Sequence, residues 1–222
     1  MNKKIHIIFL LMTTVLFFAS CKEEDDAVEE YANWSSKNAT FFTHLSDSVE
    51  GLLKAHPERT DWRRIKSWTK SDDTEGKPTD YIIVNVIAEG SEEEIAQGMP
   101  LFTDSVSVHY LGRLLPSHSY SEGLVFDQSY YGEFNEELCR PTSFVVNELI
   151  PGFSTALMHM HRGDYWRIYI PQQLGYGSSA TSSIPAYSTL IFDIRLNNFK
   201  QLTSLQATAS DVVFCRVNQS GT

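Results

Sequence analysis

Few residues in this chain are spaced for covalent or metal chemistry. There is no GxSxG nucleophile elbow, no P-loop and no GxGxxG following a strand. His159 and His161 stand two apart near a helix end, whereas ligands on one helical face stand three or four apart, and no Cys or carboxylate set is completed beside them. No metal and no cofactor are therefore expected. The three cysteines, Cys21, Cys139 and Cys215, lack metal spacing and any CxxC motif. What remains is a set of aromatic residues with one carboxylate, Asp127, directly after Phe126. Taken singly, each of these aromatics reads as core; only their joint order points to a site.

Composition limits the partners. The 222 residues carry a formal charge of −10, and 12% are aromatic, enough for a packed core. Lysines and arginines do not cluster beyond the first few residues, so nucleic acid is not an expected partner.

The elements that must position any site follow from periodicity. From Tyr31 to Leu53 the apolar residues recur at helical spacing, predicting a helix over 36–55 that ends before Pro57. It reads as a helix lying on its own domain or as a dimerisation helix. A short strand is expected over 62–68, then a turn-rich stretch over 71–78. Strands are expected over 81–87 and 105–111, the first rich in β-branched residues and the second alternating. Residues 91–100, 116–123 and 128–140 read as loops. Val125-Phe126-Asp127 and Phe144-Val145-Val146 read as extended chain.

Pro151 suits the first turn of a helix carrying Phe153, Leu157 and Met160 on one face, with Gly163 placed to end it. Strands over 165–170 and 188–196 complete the pattern. Mostly strands with one short helix imply an α+β fold with an antiparallel sheet, preceded by a helical extension.

The first residues read as an address. Lys3 and Lys4 precede an apolar run from Ile5 to Ala19, and small residues follow, the pattern of a secretory signal. Phe18-Ala19-Ser20-Cys21 resembles a bacterial lipobox. That resemblance implies cleavage before Cys21, lipidation of its thiol and anchoring to a membrane by acyl chains. Lys22 followed by Glu23, Glu24, Asp25 and Asp26 resembles the signal that sends some lipoproteins to the outer surface; it reads equally as a solvated acidic tether. The expected site is the outer membrane, on its periplasmic face or at the cell surface. Export also permits a Cys139–Cys215 disulfide, although spacing does not distinguish that from two free thiols.

Seven pieces then occur in one order: VHYLG (108–112), VFDQS (125–129), LIPGF (149–153), HRGDYWRIYIP (161–171), LGYG (174–177), IP (184–185) and STLIFDIRL (188–196). Together they resemble the FKBP family, the macrolide-binding peptidyl-prolyl isomerases, over about 80–199. The resemblance implies an antiparallel sheet wrapped around one short helix, as the periodicity suggests independently. It divides the chain into a signal (1–20), an acidic tether (21–35), a helix and strand extension (36–79), the FKBP-type domain (80–199) and a tail (200–222).

The resemblance also implies a site. Tyr110, Phe126, Asp127, Tyr176 and Phe192 match catalytic positions, and Leu149, Ile150, Phe153 and Ile184 match substrate-binding positions. Phe153 stands where many members carry Trp, and Thr142 stands where a rim aromatic is usual. By this resemblance Asp127 lies near the rotating carbonyl or orients Tyr110. Proline-containing polypeptides are the implied partners, with macrolides as possible inhibitors. The alternative is a non-catalytic chaperone or binding lipoprotein of the same fold, gripping chains through Tyr120, Tyr130, Tyr131 and Phe134.

Overall fold

The structure is a computed structural model that describes residues 29–71 and 73–200. Cys21, Cys215, the lipobox and the tail lie outside the described residues. By packing, the chain divides into residues 1–30 and 31–222, and every helix and strand of the described residues belongs to the second unit.

Seven strands form one antiparallel sheet: β1 (Trp62–Lys66), β2 (Tyr81–Ala88), β3 (Ser105–Arg113), β4 (Val125–Gln128), β5 (Thr142–Val145), β6 (Tyr165–Ile170) and β7 (Leu190–Lys200). Their order is β1-β2-β6-β7-β3-β4, with β5 also paired to β3. The free edge of β3 is shared. β5 covers Ser105–Val108 and β4 covers Leu111–Arg113, so residues 129–141 loop out between two halves of one edge. β1, from the segment read as an extension, is hydrogen-bonded to β2 in the same sheet.

Alternation along the strands sends neighbours to opposite faces. On β2, Ile82 and Val84 join the main core, while Ile83 joins a second cluster with Phe42 and Val49. The main core is closed by α3 (Pro151–Leu157), whose residues from Gly152 onward are all buried. Gly152 permits this approach, since a Cβ there would lie 2.4 Å from Ile170 Cγ2.

The second cluster is the underside of α1 (Trp34–Ala55), which lies on the sheet face opposite α3. Trp34 Nε1 donates to Ser188 Oγ at 2.8 Å, and the Thr189 N–H donates to Asn38 Oδ1 at 2.7 Å. The helix therefore packs on its own domain. Loop 129–141 covers a further part of this outer face, with the Phe134 ring edge-on to His109 at 5.0 Å.

Three local expectations need correction. Residues 91–100 contain a helical turn, α2 (Glu92–Ile95), started by a capping box in which Ser91 Oγ accepts from the Glu94 N–H and Glu94 accepts in return. α3 stops at Leu157, one turn short of Met160. Met160 is nonetheless fully buried, carried there by a turn, and Gly163 (φ 83°) serves the entry to β6 by donating to Leu196 O. β7 runs on to Lys200 because β3 stays paired with it across a register shift at Ser107/Val108.

Candidate functional site

The centre of β3 supplies Tyr110 on the helix-side face. β7, its neighbour, supplies Phe192, and α3 supplies Phe153 from above. The Phe153 ring stands edge-on to Phe192 at 4.9 Å and to Tyr110 at 6.1 Å. Phe126 on β4 stands perpendicular to Phe192 at 5.4 Å. Four aromatic residues far apart in the sequence thus meet in one cluster. Tyr110, Phe153 and Phe192 are buried, and Phe126 is partly exposed.

Two backbone devices make this possible. Gly112 pairs with Asp127 and Arg113 with Val125, which leaves Phe126 as an extra, unpaired residue in β4. A bulge of this kind re-aims side chains and lets adjacent residues serve one site. Phe126 joins the ring cluster while the next residue, Asp127, accepts a 2.9 Å hydrogen bond from the Tyr110 hydroxyl at Oδ2. Gly112 is the second device. A Cβ there would fall 2.6 Å from the Phe192 ring and 2.8 Å from the Phe126 ring.

Asp127 is not a buried carboxylate. It is exposed, and a cavity of about 220 Å³ lined by Val125, Phe126, Asp127, Gln128 and Tyr131 adjoins it. The Tyr110 hydroxyl is held protonated far above the ordinary tyrosine range. Burial is the main cause, followed by the hydrogen bond and charge of Asp127, with a smaller contribution from Tyr176. Tyr176 itself is 41% exposed, on a turn closed by the Gly177 N–H donating to Gln172 O.

Leu149 and Ile150 precede α3 and pack partly buried against the core. Ile150 caps α3 with extended backbone, and its N–H donates to no described residue. Ile184 is buried in the same core, its N–H held by Thr181 Oγ1 at 3.0 Å. Cys139 is half-buried, and its candidate partner Cys215 is not described.

Sequence reading missed one ring. Phe144 on β5 lies 5.6 Å from Tyr110 and 6.5 Å from Phe153. It stands two residues after Thr142 on the same strand, hence on the same face. The alternation of β5 was the available signal.

Residues 98–197 match the family described as FKBP-type peptidyl-prolyl cis-trans isomerase. This segment belongs to that family. Among curated relatives, the macrophage infectivity potentiator of Trypanosoma cruzi is 38% identical over 120 residues, covering 54% of this chain and 53% of that protein. The FKBP-type 22 kDa peptidyl-prolyl cis-trans isomerase of Escherichia coli is 43% identical over 100 residues, 44% of this chain and 42% of the relative. The FKBP-type isomerase FkpA of Aeromonas hydrophila is 30% identical over 162 residues, 68% of this chain and 56% of the relative. The chain spans about half the length of these relatives. Tyr110, Phe126, Phe144, Phe153 and Phe192 all lie within that segment.

Proposed function

We propose that this protein is a peptidyl-prolyl cis-trans isomerase that works on exported polypeptides, held to a membrane by lipid on Cys21. The observation that supports it best is the convergence of Tyr110, Phe126, Phe144, Phe153 and Phe192 at the centre of the FKBP-type segment.

The chemistry needs no nucleophile. Amide resonance holds the peptide bond planar with a barrier of about 18–20 kcal/mol. The twisted transition state has lost that resonance, so its carbonyl is less polar. An apolar ring cluster gripping the prolyl ring disfavours the dipolar planar amide more than the twisted one, and only that difference accelerates rotation. Lowering the barrier by about 4 kcal/mol gives roughly a thousandfold in rate. In this reading Phe126, Ile150, Phe153 and Phe192 hold the prolyl ring, with Leu149 and Ile184 shaping the wall. The Ile150 N–H and the Tyr176 hydroxyl take the flanking carbonyls, and Asp127 fixes the Tyr110 hydroxyl. Phe153, smaller than Trp, leaves a looser floor, so macrolides bind weakly.

The address rests on residues 1–26 alone. No helix of the described residues is long and apolar enough to cross a membrane. Labelling with a radioactive fatty acid tests the anchor, which a Cys21→Ser variant should abolish.

A second reading, a holdase surface, draws on Tyr131 and Leu138, 85% and 80% exposed on loop 129–141. Tyr130 and Phe134 do not serve it, because they pack on each other and Phe134 on His109. The mature chain should speed cis/trans exchange in a proline peptide and lose that activity to excess macrolide. Aggregation suppression without exchange catalysis would favour the second reading.

A further inference from the structure

The outer face of the sheet, away from the ring cluster, holds a second polar cavity. It measures about 270 Å³ and is lined by Glu94, His109, Phe134, Glu136, Arg162 and Arg195, among others. Its floor is unusual. His109 is only 3% exposed, yet its Nδ1 is buried with no hydrogen-bond partner. A buried polar atom without a partner is destabilising, so its persistence under a cavity points to a ligand that would satisfy it.

The charges around it are unequally committed. Glu94 is engaged by its capping box with Ser91 and lies 3.7 Å from Arg162. Arg195 has no ion pair among the described residues; its guanidinium stacks instead on Tyr165 at 3.5 Å and on Phe134 at 4.6 Å. Stacking on ring faces orients a guanidinium and leaves its N–H edge for planar, two-pronged hydrogen bonding to an oxyanion. Glu136 is exposed and lines the cavity, and its charge acts on His109. It is an internal carboxylate placed to compete for that edge.

We propose that this cavity binds a small carboxylate. Arg195 supplies the two-pronged contact, Arg162 adds charge, and His109 supplies a donor once its ring takes up a proton. Four charged groups face His109 here: Glu94, Glu136, Arg162 and Arg195. Burial, and more weakly Arg195, hold the ring below its ordinary pKa, while Glu136 opposes them. A bound anion adds to the Glu136 effect, so affinity rises as pH falls.

The test is a titration of the mature chain with succinate at constant ionic strength, followed by NMR of the Arg195 Nε–H and the His109 ring. The expected result is saturable binding that is tighter at pH 6 than at pH 8, with the His109 pKa rising on saturation. Arg195→Gln should weaken binding at least tenfold while proline-peptide turnover stays unchanged. Glu136→Gln, a surface change, should tighten it severalfold. Absence of saturable shifts in the unaltered chain overturns the proposal. So does equal affinity in Arg195→Gln or, should that variant not fold, unchanged affinity in Glu136→Gln.

Discussion

The Tyr110 hydroxyl donates a 2.9 Å hydrogen bond to Asp127 Oδ2 across the β3–β4 pair. The donor is buried and the acceptor exposed, so the bond fixes from the solvent side a ring that meets Phe144, Phe153 and Phe192. If orientation is the role of Asp127, a neutral acceptor suffices. Asp127→Asn should then keep turnover within about threefold of the unaltered chain, whereas Asp127→Ala should lose about tenfold, or 1.4 kcal/mol. Equal losses in both variants, measured as kcat/KM on a proline peptide, would point to the charge instead.

The ionisation of this tyrosine predicts a pH profile. Tyr110, Tyr130 and Tyr169 are all raised above the ordinary tyrosine pKa, chiefly by burial. Each stays neutral in the folded chain after its unfolded counterpart begins to ionise near about pH 10. Their contribution to stability is complete below that pH and is lost as pH rises through the folded values. Turnover should be flat from about pH 6 to 9. Tyrosinate absorbance from these three residues should appear at higher pH than from exposed tyrosines, with Tyr110 the last to ionise.

Gly112 tests the geometry without touching an aromatic residue. A methyl group there overlaps both Phe126 and Phe192, whose rings cannot shorten. Gly112→Ala should cost about 1–3 kcal/mol by overpacking and displace Phe126, the more exposed ring. Calorimetry and turnover should both fall.

Asp193 separates stability from activity. It is nearly buried and pairs with Arg167 at 2.6 Å and Arg113 at 2.7 Å, on the face away from the ring cluster. Asp193→Asn leaves two guanidiniums partly uncompensated. Because both keep contact with water, the loss should be about 2 kcal/mol rather than the larger cost of a fully buried pair. Urea unfolding should show it, with turnover per folded molecule unchanged.

The elements built on long periodic patterns, α1, β2, β3 and β6, were legible within a few residues, because one-sided burial writes itself into the spacing. α2 was hidden, since four residues carry no period and only its capping box marks it. Met160 kept helical spacing after the helix had ended, because a turn also delivered it to the core. The ring site was legible only as an order of motifs. That Phe126 meets Phe192 while Asp127 reaches the Tyr110 hydroxyl depends on a bulge, and that Phe144 joins the rings depends on β3–β5 pairing; both are set between strands rather than along them. Likewise, nothing local brings Phe134, His109 and Arg195 together.

The most direct measurement is exchange NMR on a proline peptide with catalytic amounts of the protein from Cys21 onward, unaltered and as Phe126→Ala. The unaltered chain should accelerate exchange on the order of a hundredfold or more over buffer, and the variant should lose at least tenfold of that with unchanged far-UV circular dichroism. An unaltered chain no faster than buffer, or a variant as fast as its parent, would contradict the ring-cluster mechanism.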